Sequence, residues 1–582
     1  MSIFFLTATD LRVNIVVTMF IDDSTYKRNG KTYRRVLLRN SYRVDGKVRH
    51  DTLANLSSCN DDEIDLIKYT IKHKQKIKEL ASTSAAISQN VNTKQGLAVG
   101  AVWVFAQLAK QLGISRALGN SREAKLSLWL AMATLIGQGS RLSAVRLAQR
   151  HAVCDVLKLD SFHEDDLYQS MDWLASRQHT IEKSIFNHRY GDAEHTPTLY
   201  LYDVTSSYLE GTHNELAAFG NNKDKKKGKM QIVIGLLTDD TGCPVTVDVF
   251  KGNTQDPQTV ENQITALAAR FGVKNVTFVG DRGMLKSGQI QALHGKHFRY
   301  ITAITKPQIK KMIREGTLSL GLFDETLCEV TLYENDDPHK PLRYILRRNP
   351  VRARDLEATR QSKLIVLQAL LDNKNLYLKE HPRAQVDVAR REVETKAKKL
   401  KIDGWTIIEI QSDSRVLSVK KDNATREEQA QLDGCYVIKS DVPGNEANAT
   451  TIHARYKDLK EVEWAFRTMK TTLLELRGIY VRKEVRTRAH VFIMMLAYLI
   501  AYELRRRWRD IEMTIDEGID ELASISTVIV EIAGTTCQSI PEPRSYGQKL
   551  LEKLNITLPD AIAHRNVEIC PRKKIKGLRR KQ

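Results

Sequence analysis

The chain has 582 residues and carries 90 Lys and Arg against 70 Asp and Glu, a formal charge of +20. Charged residues at 27% and hydrophobic ones at 42% exclude a disordered chain and allow several domains. So large a basic excess points to a polyanionic partner, nucleic acid before membrane, because the longest apolar run, Val491 to Tyr502, falls short of the roughly 20 residues a bilayer requires.

The first residues, Met1-Ser-Ile-Phe-Phe-Leu6, lack a basic n-region and are followed by Asp10 and Arg12, so no signal peptide is expected; Met19 is a second candidate start. The seven cysteines are scattered, with no CxxC pair. They suit free thiols in a reducing cytoplasm and provide no zinc site.

From Met19 to about Leu56 the pattern predicts short strands with hairpin turns at Asn29-Gly30 and Asp45-Gly46. The strands interleave aromatics with arginines, which reads equally as a DNA-contacting module and as a solvated sheet face. Glu63 to Leu80 has helical periodicity, and Ala81 to Lys94 reads as a linker. Gly96 to about Tyr190 is helical throughout, with Gly113 stopping the helix marked by Trp103, Leu108 and Leu112. Arg141, Arg146 and Arg150 line up in this region, more simply as a solvated face than as a DNA surface.

Thr198 to Glu210 reads as a strand opened by Pro197. Leu199, Leu201 and Asp203 fall on one face, which carries a carboxylate to the strand's exit. Lys223 to Lys229 is a basic loop suited to phosphate. A hairpin follows (Gln231 to Leu237, Pro244 to Phe250), then a helix from Thr259 to Arg270. Val276 to Gly280 is a buried-type strand ending in a second acid, Asp281, and Phe298 to Thr305 is the next strand. The order β-β-β-α-β-α-β predicts a mixed sheet with an acid at the ends of its first and fourth strands. The stretch 306–450 breaks the pattern, with strands at Glu329 to Tyr333, Arg343 to Arg347 and Thr406 to Ile410, a long charged helix around Val351 to Leu370 and the lysine-rich Glu392 to Lys401, and reads as an insertion into the sheet domain. Beyond it, Tyr456, Leu459, Glu463, Arg467 and Lys470 follow one helical stripe. Val491 to Trp508 is an apolar core helix, and the chain closes on a basic tail, Pro571 to Lys581.

The divisions expected are 1–95 (meander, helix and linker), 96–190 (helical, DNA-binding), 191–305 (first part of a catalytic core), 306–450 (insertion), 451–510 (second part of the core) and 511–582 (C-terminal region). Three converging carboxylates suit two Mg²⁺ or Mn²⁺ ions, hard cations that prefer oxygen ligands, and such a pair serves in-line displacement at phosphorus.

Leu201-Tyr-Asp203-Val-Thr-Ser-Ser-Tyr, Gly252-Asn-Thr-Gln-Asp256, Gly280-Asp281-Arg-Gly-Met284, Arg343-Tyr-Ile-Leu-Arg, Asp433-Gly-Cys-Tyr-Val-Ile and the Tyr456 to Lys470 helix occur in this order. Together they resemble the DDE transposases of bacterial insertion sequences, in the IS-four-like superfamily and its IS-sixteen-thirty-four type. The resemblance implies an α/β, RNase H-like (retroviral-integrase-like) catalytic core with Asp203, Asp281 and Glu463 as catalytic and metal-binding triad, and a mostly β insertion between the second and third acids. It implies two Mg²⁺ or Mn²⁺ ions, with the element's terminal inverted repeats, target DNA and a second copy of the chain as partners. Tyr456, Lys460, Arg467 and Lys470 are the implied DNA contacts; Leu459 stands where the family's helix signature has Arg. The activity implied is DNA cleavage and joining of 3′ ends to a target. The readings left beside it are a transposase-derived DNA-binding protein without catalysis and a related nuclease that does not join. Recognition of the element's ends is expected from the 96–190 helices rather than from the meander, because an α-helix fits the major groove.

Overall fold

The computed structural model describes residues 18–572 except 45–46, 75–90, 192–195, 222, 225, 334–340, 412–413, 471–472, 475, 477–478 and 533–534. The basic tail beyond Arg572, the Asp45-Gly46 turn and most of the expected linker lie outside the described residues.

The chain divides into two compact units. In the first, Thr18–Arg28, Lys31–Val44 and Lys47–Asn55 form the antiparallel meander. Asn29 and Gly30 both have positive φ, 53° and 78°, as a two-residue type I′ hairpin demands, and Arg28 pairs with Lys31 across it. Two of the interleaved arginines are held by acids: Arg34 by Asp23 and Asp61, and Arg39 by Asp22. The helix Asp61–Lys72 starts on a capping box between Asn60 and Glu63. The end of the expected linker is corrected: Val91–Ala98 is a strand, in a three-stranded sheet with Ser526–Ile532 and Thr535–Ser539. Its partners lie more than 400 residues away, so local composition gave no sign of the pairing.

The second unit is built on an eight-stranded mixed sheet, whose strands are named here in chain order. They are β1 (Leu199–Tyr208), β2 (Gln231–Asp239), β3 (Pro244–Lys251), β4 (Thr277–Gly280), β5 (Arg299–Ala303), β6 (Cys328–Tyr333), β7 (Pro341–Arg348) and β8 (Cys435–Ser440). The spatial order is β6-β7-β8-β5-β4-β1-β2-β3. Strands β1, β2 and β3 pair antiparallel, whereas β4 runs parallel to β1 and β5 parallel to β4. Side chains of β1 alternate as a strand with two covered faces requires. Leu199 and Leu201 enter one buried cluster, and Tyr200, Tyr202 and Val204 the other.

Helices cover the first face. Glu484–Arg507 is enclosed along nearly its whole length and packs on Glu164–Tyr190, Arg122–Ile136 and β3. It is long and apolar enough by composition to span a bilayer, yet its apolar side chains are buried within the protein. The helices between Gly100 and Tyr190 share one continuous apolar core with it. They are therefore part of the same compact unit as the sheet rather than a body of their own.

The expectation of a mostly β segment at 306–450 is corrected. A 31-residue helix, Pro350–Glu380, and a 15-residue one, Val386–Leu400, dominate it, and β6, β7 and β8 extend the central sheet instead of standing apart. The long helix buries only Leu367, Leu371 and Leu378. Its apolar stripe is thus too sparse to advertise its full length.

Candidate active site

Asp203 lies on β1 and Asp281 directly follows β4. These strands are parallel neighbours in the register Leu201↔Val279, Tyr202↔Gly280, so the next step sets Asp281 beside Asp203, which stands midway along β1 and not at the exit the sequence suggested. Strand spacing of about 4.8 Å puts them in mutual reach. The third acid comes from the helix Leu459–Lys470, which packs on β1. Leu459, Val462, Ala465, Phe466 and Met469 are buried beneath this helix, while Glu463 is exposed on its outer side. A clamp to the core helix steadies it: Arg505 stacks 3.7 Å over Trp464 and reaches Glu461 at 3.4 Å.

The electrostatics join the three acids. Burial pushes the Asp203 carboxyl up to about 7; the Lys223 ammonium and the Val204 N–H oppose the rise, and Asp281 and Glu463 add to it by repulsion. Val204 N–H donates to Asp203 Oδ1 at 2.7 Å. Asp281 Oδ1 accepts from its neighbour Arg282 N–H at 2.6 Å and from the Tyr456 hydroxyl at 3.2 Å. Burial, followed by the Asp281 charge, holds that hydroxyl protonated, so it is a dependable donor.

Among the described residues no three His, Cys, Asp or Glu side chains already stand at metal-ligand spacing. The donor set is nonetheless all oxygen and mutually repelling, and one member is desolvated. Those are the properties a hard divalent cation relieves, and they fit Mg²⁺ or Mn²⁺ better than a softer metal.

The Gly252-Asn-Thr-Gln-Asp256 stretch builds the wall beside Asp203. A Cβ on Gly252 would lie 1.9 Å from the Gln231 carbonyl oxygen, so only glycine allows this approach of loop to strand. Asp256 then holds Lys223 at 3.5 Å, while the Lys223 ammonium donates to the Val204 carbonyl at 2.7 Å. Lys223, Asp256, Arg282, Thr205 and Ser206 line a cleft of about 290 Å³, with Arg282 next in the chain to Asp281 and Thr205 two residues past Asp203.

The helical stripe is only partly realised. Tyr456 belongs to a separate helix, Ala449–Lys457, that ends at Asp458, and its hydroxyl donates to Asp281. Lys460 and Arg467 are exposed. Lys470 is corrected: it is 6% exposed, with its ammonium on Asp224 at 2.7 Å and Thr205 at 2.8 Å. The basic loop folds an acid over the helix end there, which shuts this lysine off from phosphate. Helical spacing could not show that cover. It also missed Arg282, whose position immediately after the second acid was the available signal.

Known proteins bear on these residues as follows. The family model described as "Transposase DDE domain" matches residues 194–500, and that described as "IS1634 family transposase, N-terminal domain" matches residues 21–85. No curated protein matches. Among solved structures the chain is similar to the piggyBac transposase in a cryo-EM synaptic complex with hairpin DNA. Identity there is 9%, over 72% of this chain and 75% of that one, at a TM-score of 0.35 too low to bear on the site. The matched domain takes in all three acids and more than half of the chain, and with the N-terminal match it shows that the chain belongs to the DDE transposases of insertion sequences, in the IS1634 family.

Proposed function

We propose that this DNA transposase binds the terminal inverted repeats of its element, cleaves the DNA beside Asp203, Asp281 and Glu463, and joins the freed 3′ ends to target DNA. The observation that carries the reading is the placing of Asp281, just past the end of β4, beside Asp203 midway along the parallel neighbour β1, with the helix bearing Glu463 against the same strand. The order β3-β2-β1-β4-β5, with the first three strands antiparallel, supports an RNase H-like core; the 306–450 segment, leaving after β5 and returning through β8, supports an insertion.

The three carboxylates would hold two Mg²⁺ or Mn²⁺ ions, which when bound supply the Lewis acidity that activates an attacking hydroxyl and stabilises a leaving oxygen at phosphorus. The chain's own groups prepare the site. Tyr456 fixes the orientation of Asp281, and the Val204 N–H fixes that of Asp203. Lys223 tempers the repulsion on Asp203. Lys460 and Arg467, on the exposed side of the Glu463 helix, are the groups proposed to take DNA phosphates, which position the strand without specifying its sequence. A second copy of the chain is proposed to hold the other element end.

The test is to incubate the protein and Mg²⁺ with duplexes carrying the element's own ends and to map cuts and joined products. Asp203→Asn, Asp281→Asn and Glu463→Gln should each abolish cutting and joining while end binding persists. Near wild-type cutting by any of the three removes that residue from the triad. Cutting without joined products would leave a nuclease.

A further inference from the structure

Arg141 opens the eight-residue helix Arg141–Ala148, where its spacing with Arg146 and Arg150 suggested a solvated row. It is instead 8% exposed. Its Nη1 meets the thioether of Met171 at 3.4 Å, and its Nε is buried with no hydrogen-bond partner. Among the described residues it forms no ion pair. A guanidinium cannot shed its proton to escape burial, so an unpaired one is costly to keep. Burial accordingly lowers its hold on the proton, against an opposing influence from Tyr168.

A second orphan shares its surroundings. Arg141, Tyr168, Tyr208, Glu210, Tyr480 and His490 line one cavity of about 370 Å³, and the Nδ1 of His490 is also buried without a partner. Burial, then the Arg141 charge, pushes this imidazole down to about 3, so it is neutral. Among the described residues the one acid in the wall, Glu210, is already tied to Lys229 at 3.0 Å. A further cation lies behind Tyr168: Arg486 stacks 4.9 Å over that ring and is held by both oxygens of Asp172. Tyr480, 71% exposed, marks the side open to solvent.

The cavity therefore offers an unneutralised planar cation, a neutral ring nitrogen without a partner, and aromatic walls. The guanidinium fork matches phosphate oxygens two at a time. The volume is several times that of a phosphate ion and lies within the usual range of about 300–1,000 Å³ for small-ligand sites, so there is room for the sugar or base that carries it. Tyr208 also ends β1 past Asp203, and Glu210 follows it in the chain. Tyr208, five residues on, lies roughly 17 Å away at about 3.3 Å per residue, a few nucleotides along a strand.

We propose that this cavity is a nucleotide-phosphate site, with Arg141 taking the phosphate, His490 donating from Nδ1–H, and the tyrosines packing against sugar or base. Its source is a strand of DNA crossing the catalytic face, an assignment that rests on the transposase reading. A free nucleotide carries the same chemistry.

The test uses the full chain as wild type, Arg141→Met and His490→Phe, with the 5′-phosphorylated dinucleotide pTpT as probe, binding read by calorimetry and folding by thermal unfolding. Arg141→Met should weaken pTpT binding at least about tenfold and His490→Phe by a smaller factor. Without ligand, Arg141→Met should melt no lower than wild type, because an apolar chain replaces an unpaired buried charge. Equal pTpT affinity in wild type and Arg141→Met overturns the proposal. So does a marked loss of unliganded melting temperature in Arg141→Met, which would make the arginine a packing residue. Competition of pTpT by a longer single strand supports DNA as the source; Arg141-dependent pTpT binding that no strand displaces overturns that source in favour of a free nucleotide. Arg141-dependent binding in a protein that cuts no DNA would sink the transposase reading and leave the site standing.

Discussion

At the scale of single residues, two side chains on neighbouring helices part from a common expectation in opposite ways. Tyr456 donates to a triad acid, so Tyr456→Phe should slow cleavage by about tenfold or more, through a disordered Asp281, while end-DNA affinity stays within about twofold. A matching loss of affinity would return Tyr456 to direct DNA contact. Lys470 is a buried cation over Asp224, both side chains under one-tenth exposed. Lys470→Met removes the ammonium that neutralises a buried carboxylate and should cost about 3 kcal/mol of stability in denaturant melts. The salt dependence of DNA binding should not change, whereas a slope lowered by about one phosphate contact would show that the lysine does reach DNA.

At the scale of elements, the active-site wall depends on how closely a loop approaches a strand. Gly252→Ala introduces a Cβ against the Gln231 carbonyl oxygen and should destabilise the protein by about 1–3 kcal/mol. It should also loosen Lys223, which the same loop holds through Asp256. Guanidinium melts together with cleavage rates read both effects; a stable but slow variant would confine the role of Gly252 to positioning. The helix Ala449–Lys457 makes a separate point about protons. His453 is buried against the Tyr436 hydroxyl at 2.6 Å, and burial, with Lys457 and Arg347, depresses it to about 4.

At the scale of the whole molecule, that histidine acts with His151, depressed to about 4, and His490, depressed to about 3, in both cases mainly by burial. In the unfolded chain each takes a proton below about 6.5; in the folded chain each takes one only below its depressed value. The unfolded state thus binds more protons across this window. The stability these groups contribute is complete above about pH 6.5 and is lost as the pH falls through about 4. Thermal melts should show that slope, and His453→Gln should flatten it by on the order of 2 kcal/mol, since glutamine keeps a partner for Tyr436 but does not titrate. An unchanged slope would mean that His453 charges freely in the fold. The shared core makes a further prediction. A fragment ending at Tyr190 loses Glu484–Arg507, the helix on which its own apolar side chains pack. It should bind hydrophobic dyes and melt without cooperativity, so a footprinting test of end recognition needs the intact chain. A sharp cooperative melt of the fragment would show that the helices fold alone.

Much of the catalytic sheet was legible because its signals are local. A β-branched run after Pro197, the turn at Asp240 to Gly242, and strands with alternating or wholly apolar faces each declare their own conformation. The order of elements then put one acid on the first strand and one after the fourth, although Asp203 stands midway along β1 and not at its end. Register did the rest, since the parallel pairing of β4 with β1 brings Asp281 beside Asp203. What only the tertiary structure decided were the contacts between segments distant in the chain. Nothing near Lys470 announces that Asp224 will cover it, nothing near Arg141 announces that no acid among the described residues will, and Val91–Ala98 becomes a strand through partners beyond residue 525. A helical stripe fixes which side chains share a face, but whether that face meets water, protein or a ligand depends on what packs against it. The burial of a charge is therefore settled by the whole fold, not by spacing along one helix.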